Sequence, residues 1–433
     1  MKNNKSILVL ASYPIAKPQH GGQKRVKALL DFYTDITKNT YFIGIFHKPP
    51  YMGEYSDTDI PLGQISNLDK IDDMPQMTDI IVGQSPDKDH HVRSQLAHQL
   101  RKIKPDIIHI EQPYIYEGLR VLLNELNIHP KLIFGTQTIE HKMKEGIFNS
   151  LNLDSKLAKK LVSKIKVNEL RFIKEADLVV SISKDEAKYF RDNGAKNVCI
   201  VPNGISKEAF SQSNTKHWKE FFNKESIAKP ILFVGSGHPP NYSGFLEMFG
   251  DDSTFLNNGE KVLMAGGVSD YFKHEYSLDK VGKDAYVKFW KNIIAVGKLS
   301  ESDLAALIDI SEIIMLPITT GGGSNLKTAE AILADKKIIA TPYAFRGFEI
   351  YQSLPNTYLA STHEEFVMQL KKSTKHEQTL RSDQEKVLAG SVQWSECVRS
   401  LQQPTIDLLA QPKLRYTKPR LRKFWKKISI YDR

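Results

Sequence analysis

Only two cysteines, Cys199 and Cys397, occur in 433 residues, and they lie far apart in the chain. They can form at most one bridge, which excludes a disulfide framework, and no Cys/His spacing suggests a zinc site. A reducing, cytoplasmic setting is the expectation. No apolar run approaches the length of a membrane span. Ile7 to Ala16 follows Lys2 and Lys5 in the manner of a signal peptide, but Pro14 breaks the short apolar run. The dinucleotide fingerprint Gly-x-Gly-x-x-Gly is missing. The folded body also lacks charge of one sign. The formal charge is +10, from 60 basic and 50 acidic residues. Nine Lys or Arg and one Asp between Lys413 and Arg433 supply +8 of it, leaving +2 for the rest. A nucleic-acid protein more often carries a basic face on its folded domain, so no nucleic-acid partner is expected. Asp57-Thr58-Asp59 has the acidic spacing of a metal site. No buried strand precedes it and its flanks are turn-like, so a solvated loop is expected there and no metal ligand.

What is present is alternation. Short apolar runs at Ser6–Ala11, Tyr41–Phe46, Pro105–Glu111, Lys131–Gly135 and Ala176–Ser183 read as strands, with helical patterns at 21–32, 90–103, 115–126 and 155–176 between them. A polar stretch, Ser206 to His217, follows the Pro202-Asn203-Gly204-Ile205 turn and reads as a linker. A second set begins at Pro230–Ser236 and continues through Lys261–Ala265, Ile293–Val296, Ile313–Pro317, Lys336–Thr341 and Thr357–Ala360. This pattern predicts parallel sheets covered by helices on both faces. The expected organisation is an N-terminal unit at 1–205 and a second at 206–390. A helix at 391–412 would then return to the first unit through Trp394, Val398, Leu401, Ile406 and Leu409. The segment 48–88 shows no clear element.

Two glycine-rich loops follow strands. One is Gly21-Gly22-Gln23-Lys24-Arg25 and the other is Gly321-Gly322-Gly323-Ser324. Glycines let a backbone approach a ligand closely, and a helix N-terminus behind them presents free N–H groups to an anion. Ser324 reads as the helix N-cap. Lys327 and Glu330, three apart, share a face of that helix. A cation beside an acid suits a ligand with a phosphate and a vicinal diol, as in a nucleotide sugar.

The stretch Gly321 to Thr341 resembles the donor-binding segment of GT-B glycosyltransferases, in particular the large retaining group with a Glu-x7-Glu motif. Val234-Gly235-Ser236 with His238-Pro239-Pro240-Asn241, and Pro202-Asn203-Gly204-Ile205, are similar to that group as well. The resemblance implies an α/β GT-B fold, two Rossmann-like domains facing each other across a cleft, and a sugar transferase acting without metal or other cofactor. Glu330 matches the acid that holds the ribose, whereas Gly322 stands where the first acid would be. The implied donor-binding set is Gly21, Gly22, Gly235, Ser236, Gly297, Leu299, Gly322, Gly323, Ser324, Asn325, Lys327 and Glu330. Branches that clamp the diphosphate with Arg and Lys have Ser236 and Asn241 replaced by those cations, so here the charge falls to Lys327. The family's usual histidine base is Gln137 in this chain, in Thr136-Gln137-Thr138-Ile139-Glu140. Gln cannot take a proton, which leaves His109, Glu140 and His141 as the nearest titratable substitutes, with His109 and Glu140 ahead of His141 as catalytic candidates beside Lys327. The implied partners are a nucleotide sugar and a glycan or lipid-linked acceptor. The tail from Lys413 to Arg433 interleaves Tyr416, Leu421, Phe424, Trp425, Ile428 and Ile430 with its basic residues, which suits an anionic membrane surface and peripheral attachment.

Overall fold

The computed structural model describes residues 3–63, 75–151, 153–206 and 212–412. Its frame is two all-parallel sheets. The first contains β1 (Asn3–Ala11), β2 (Thr37–Phe46), β3 (Ile60–Pro61), β4 (Ile107–Glu111), β5 (Lys131–Gly135), β6 (Leu178–Ser181) and β7 (Val198–Ile200). They are ordered β3-β2-β1-β4-β5-β6-β7. The second contains β8 (Lys229–Val234), β9 (Glu260–Ala265), β10 (Ile293–Gly297), β11 (Ile313–Leu316), β12 (Lys337–Ala340) and β13 (Thr357–Leu359), ordered β10-β9-β8-β11-β12-β13. This is the expected GT-B architecture. In each sheet the order reverses beside the first strand, between β1 and β4 and between β8 and β11. Those are the switch points where open α/β sheets leave a crevice beyond the strand carboxyl ends.

The strands are unbroken apolar runs because both faces are covered. Along β1, Leu8 and Leu10 join one core with Val92, Leu96 and Phe172, while Ile7, Val9 and Ala11 face another with Val26 and Leu29. The second face also receives Trp394, Val398, Leu401, Leu408 and Leu409 from the C-terminal segment. The stripe expected for this docking is therefore present, with Leu408 in the place given to Ile406, which is 40% exposed. The segment is also less regular than one helix: Trp394–Cys397, a 3-10 turn Val398–Leu401, then Gln402–Ala410. A backbone bridge between Ile205 and Gln393 ties the outgoing and returning chains together.

Several sequence expectations change. A helix, Thr78–Lys88, lies in the stretch that showed no element. Its apolar periodicity is poor; Val82 is buried against the helix Tyr116–Leu126, whereas Ile80 packs with Tyr114 and Phe148 and Gly83 lies against Tyr114. Part of the expected linker is the helix Gln212–Lys224, which buries Trp218 and Phe222 against the second sheet. The helix after β8 begins at Pro239, because proline suits a first turn whose N–H needs no partner. Asp59 lies in no solvated loop but is buried. Its carboxylate accepts from the Gly44 N–H at 2.6 Å and the Ser56 N–H at 2.9 Å, closing the turn onto β2. The tail 413–433 lies outside the described residues.

Leu401 is fully buried where the C-terminal segment meets the first sheet. Leu401→Ala should lower stability by about 3 kcal/mol through the cavity it leaves. Ile406→Ala should cost less than about 1 kcal/mol, because the side chain is largely exposed. Urea unfolding of both variants checks the docking.

Candidate functional site

The glycine loops stand at the two switch points. On the first sheet, the helix Gly21–Ile36 starts after a capping box in which His20 and Gln23 exchange hydrogen bonds. A Cβ on Gly22 would lie 2.7 Å from Gln137 Oε1 and 2.9 Å from the Tyr13 hydroxyl. A Cβ on Gly21 would lie 2.9 Å from Leu326 Cδ1, at the start of the helix Leu326–Leu333 of the second sheet. From the other side, a Cβ on Gly322 would meet Met143 and Thr138, and one on Gly323 would lie 3.3 Å from the Gln137 carbonyl. Gly21, Gly22, Gln137, Gly322 and Gly323 are thus brought together from both halves of the chain.

Ser324 is not the helix N-cap. That position belongs to Asn325, whose side chain makes no capping bond. The Ser324 hydroxyl instead accepts from Asn203 Nδ2 at 2.6 Å, joining the loop to the turn that leaves the first sheet. Gly321 and Gly323 have φ of +118° and +65°, a region favouring glycine. Their carbonyls are held from behind. The Tyr343 hydroxyl donates to Gly321 O at 2.5 Å, Arg346 Nη2 to Gly322 O at 2.9 Å, and Arg346 Nε to Gly323 O.

Lys327 is half-buried, and its ammonium donates to Asn241 Oδ1 at 2.7 Å. Asn241 in turn donates to the carbonyl and hydroxyl of Ser236, both at 3.0 Å. The two positions that lack a cation therefore hold the one at Lys327 in place. Withdrawal from water pushes the Lys327 pKa down to about 8, and Glu330, one turn on, pulls it back up in part. Gly235 packs beneath this group, with Val268 and Asn241 Cβ against its open side. Gly297 ends β10 with φ +77°, and its carbonyl accepts from the Gly266 N–H at 2.7 Å. Leu299 is half-buried against the core of Trp218 and Leu307.

The two remaining catalytic candidates sit behind the cleft surface. His109 is fully buried, with Nδ1 2.7 Å from the Tyr33 hydroxyl and Nε2 3.1 Å from Glu111 Oε1. Burial by itself would raise the Glu111 pKa, but Arg25, His109 and Gln137 together hold it below the usual carboxylate range. An ionised carboxylate only accepts, so His109 Nε2 donates to Glu111 while Nδ1 pairs with the Tyr33 hydroxyl. With both nitrogens engaged, His109 acts on Glu111 rather than on an incoming acceptor. Glu111 Oε2 accepts from Gln137 Nε2 at 3.2 Å, and Gln137 also donates to the Tyr13 hydroxyl. The amide at the position of the missing histidine is thus held at the cleft by a buried anion.

Glu140 is 1% exposed and opens the helix Glu140–Ser150, an element the sequence pattern did not reveal. Its Oε2 accepts from the Tyr114 hydroxyl at 2.8 Å and its Oε1 from Gln112 Nε2 at 3.4 Å. Burial, reinforced by Asp79, pushes its pKa up to about 8. Sequence reasoning missed Tyr13, Gln112, Tyr114, Tyr343 and Arg346. Only Arg346, a cation in the turn that follows β12 and the 3-10 helix Pro342–Phe345, carried a readable signal. A groove of about 820 Å³ also opens between Phe32, Trp394 and Ile406, bounded by the Lys24–Glu301 ion pair at 3.0 Å. None of Gly322, Lys327 and Glu330 lines it, so this groove lies apart from the glycine loops.

The Glu140 shift has a pH signature. The folded form keeps a proton that the unfolded carboxyl, with a pKa of 4.5, has released, so stability should fall as pH rises from about 4.5 to about 8. Glu140→Gln should remove that component and flatten the profile. Thermal melts of both proteins across this range measure the difference. Parallel profiles would overturn the assignment.

Residues 77–209 match the sequence profile of Glycosyltransferase Family 4. No curated protein matches the chain in sequence. Among solved structures it is similar to sucrose-phosphate synthase from Thermosynechococcus elongatus, with TM-score 0.66 and 13% identity over 94% of this chain and 100% of that one. It is also similar to the α,α-trehalose 6-phosphate synthase of Burkholderia multivorans, with TM-score 0.61 and 13% identity over 94% and 98%. HepE of Anabaena in complex with UDP gives TM-score 0.58 and 12% identity over 93% and 99%. The chain therefore has the two-domain GT-B fold of glycosyltransferases, and its match to Glycosyltransferase Family 4 spans strands β4 to β7 of the first sheet.

Proposed function

We propose that the chain is a glycosyltransferase. It moves a sugar, of hexose type, from a nucleotide-activated donor to a glycan or lipid-linked acceptor, with retention, in polysaccharide or cell-surface glycan synthesis. The observation that carries the reading is the meeting of the Gly321–Ser324 loop with Gly22 and Gln137, with Lys327 held by Asn241 behind it. Departure of a nucleoside diphosphate leaves negative charge on its outer phosphate. Backbone N–H groups and an ammonium fixed beforehand stabilise that charge without reorganisation. In this reading Lys327 and the loop take the role a metal has elsewhere. The UDP bound to HepE makes UDP the first donor base to try. Release of nucleoside diphosphate from UDP-, GDP- or ADP-glucose, with and without EDTA, tests the reading. Failure of all three to bind would sink it.

One observation favours a second reading. Gln137, in place of a base, is held by Glu111 and Tyr13, and neither His109 nor Glu140 is exposed. A sugar-nucleotide-binding partner protein without turnover would need no base. Donor binding with no hydrolysis and no transfer would select it.

Lys327 and Glu330 should have separable effects. Lys327→Ala should lower single-turnover rate more than donor affinity, because its charge matters most as the phosphate–sugar bond breaks. Glu330→Gln should mainly weaken donor binding, by about 1–3 kcal/mol for a lost charge-assisted hydrogen bond to ribose. Titration calorimetry beside single-turnover kinetics separates the two.

The basic tail 413–433 is assigned to an anionic membrane face. Deleting it should abolish binding to phosphatidylserine liposomes while leaving transfer to a soluble acceptor intact. Added salt should weaken binding of the full chain. Indifference of the full chain to such liposomes at low salt would refute the assignment.

A further inference from the structure

We propose that Arg346, assisted by Tyr343, is the positioning residue that aims the glycine loop at the donor diphosphate. The proposal rests on the donor site described above and adds the residue that shapes it. In a planar trans peptide the C=O of one residue and the N–H of the next point in opposite directions. The carbonyls of Gly321, Gly322 and Gly323 all face one side, taken by the Tyr343 hydroxyl, Arg346 Nη2 and Arg346 Nε. The N–H groups of Gly322, Gly323 and Ser324 must therefore face the other. Among the described residues, none of these three N–H groups donates to a protein acceptor. Three successive outward N–H groups form a concave anion cradle. Asn325 Nδ2, next in the chain, is also buried without a partner.

Arg346 is suited to this by shape. Its planar fork spans two successive carbonyls, and the guanidinium lies 4.3 Å from the centre of the Tyr343 ring. Tyr343 thereby steadies the loop twice, through its hydroxyl and through its ring. A lysine at 346 would keep the charge and lose the fork. The guanidinium also lies behind the cradle, so its charge adds to the field at the anion. Without it the loop carbonyls are released, and glycines at 321 to 323 have the backbone freedom to turn them toward the phosphates.

The full chain is titrated with UDP, GDP and ADP, and with the matching nucleosides. Arg346→Ala should weaken the bound nucleoside diphosphate by about tenfold or more and leave its nucleoside unchanged, because only the phosphates meet the cradle. Arg346→Lys should fail to restore diphosphate affinity, and Tyr343→Phe should weaken it by a smaller factor. If Arg346→Ala does not fold, Arg346→Lys and Tyr343→Phe carry the test. Wild-type diphosphate affinity in Arg346→Lys would overturn the proposal, as would equal losses for diphosphate and nucleoside. Glu330→Gln separates this from the underlying reading. If Glu330→Gln weakens binding and the Arg346 variants do not, the site stands and the role of Arg346 falls. If none of the three diphosphates binds the wild-type chain, the donor site itself is wrong and the proposal falls with it.

Discussion

A guanidinium with no exposure to water must have its charge met, and much of the molecule is arranged around meeting that of Arg25. Its Nε lies 3.6 Å from Glu111 on β4, and its Nη1 donates to Val201 O at 3.0 Å and to Asn203 Oδ1 at 2.9 Å. Arg25 thus fixes the helix after β1, the carboxyl end of β4 and the turn leaving the first sheet at one point. Asn203 then passes the constraint on through its bond to Ser324. The geometry of the second glycine loop depends on an ion pair buried in the other half of the chain. Loss of either partner would leave an uncompensated buried charge, which is far costlier than the pair is stabilising.

The site divides its charge by function. The first sheet presents a buried anion, Glu111, screened from the cleft by the neutral amide of Gln137. The second presents cations, Lys327 through Asn241 and Arg346 from behind the loop. On the first-sheet side the cleft otherwise carries neutral hydrogen-bonding groups, Tyr13, Gln137 and Thr138. Behind this surface Glu140 is buried, and burial pushes its pKa up to about 8, so it adds no second fixed anion beside Glu111 at neutral pH.

The weakened Lys327 ammonium fits this division. An isolated ammonium withdrawn from water loses charge readily, and an arriving phosphate restores it. Asn241 supplies an oxygen acceptor but no charge, so it holds Lys327 without neutralising it. Replacement of the clamp cations at 236 and 241 by Ser and Asn thus appears in the structure as support for one remaining lysine.

The two sheets were legible in the sequence because a parallel strand buried on both faces is written as an apolar run, as at Ile7–Ala11 and Ile313–Leu316. The glycine loops were legible because the backbone there requires glycine at Gly321 and Gly323. Lys327 and Glu330 could be placed on one helix face from spacing alone. Elements held by packing rather than pattern were not legible, and the helix Thr78–Lys88 and the exchange of Ile406 for Leu408 are examples. Nor was the environment of a titratable group. His109 and Glu140 read as candidate bases by residue type, but only the fold places Tyr33 and Glu111 on the one and Tyr114 and Gln112 on the other. The partnership of Arg346 with the loop carbonyls spans more than twenty residues and depends on how the turn after β12 folds back. Local spacing fixes which face of an element a side chain occupies, whereas its partners and its charge state depend on contacts between elements distant in the chain.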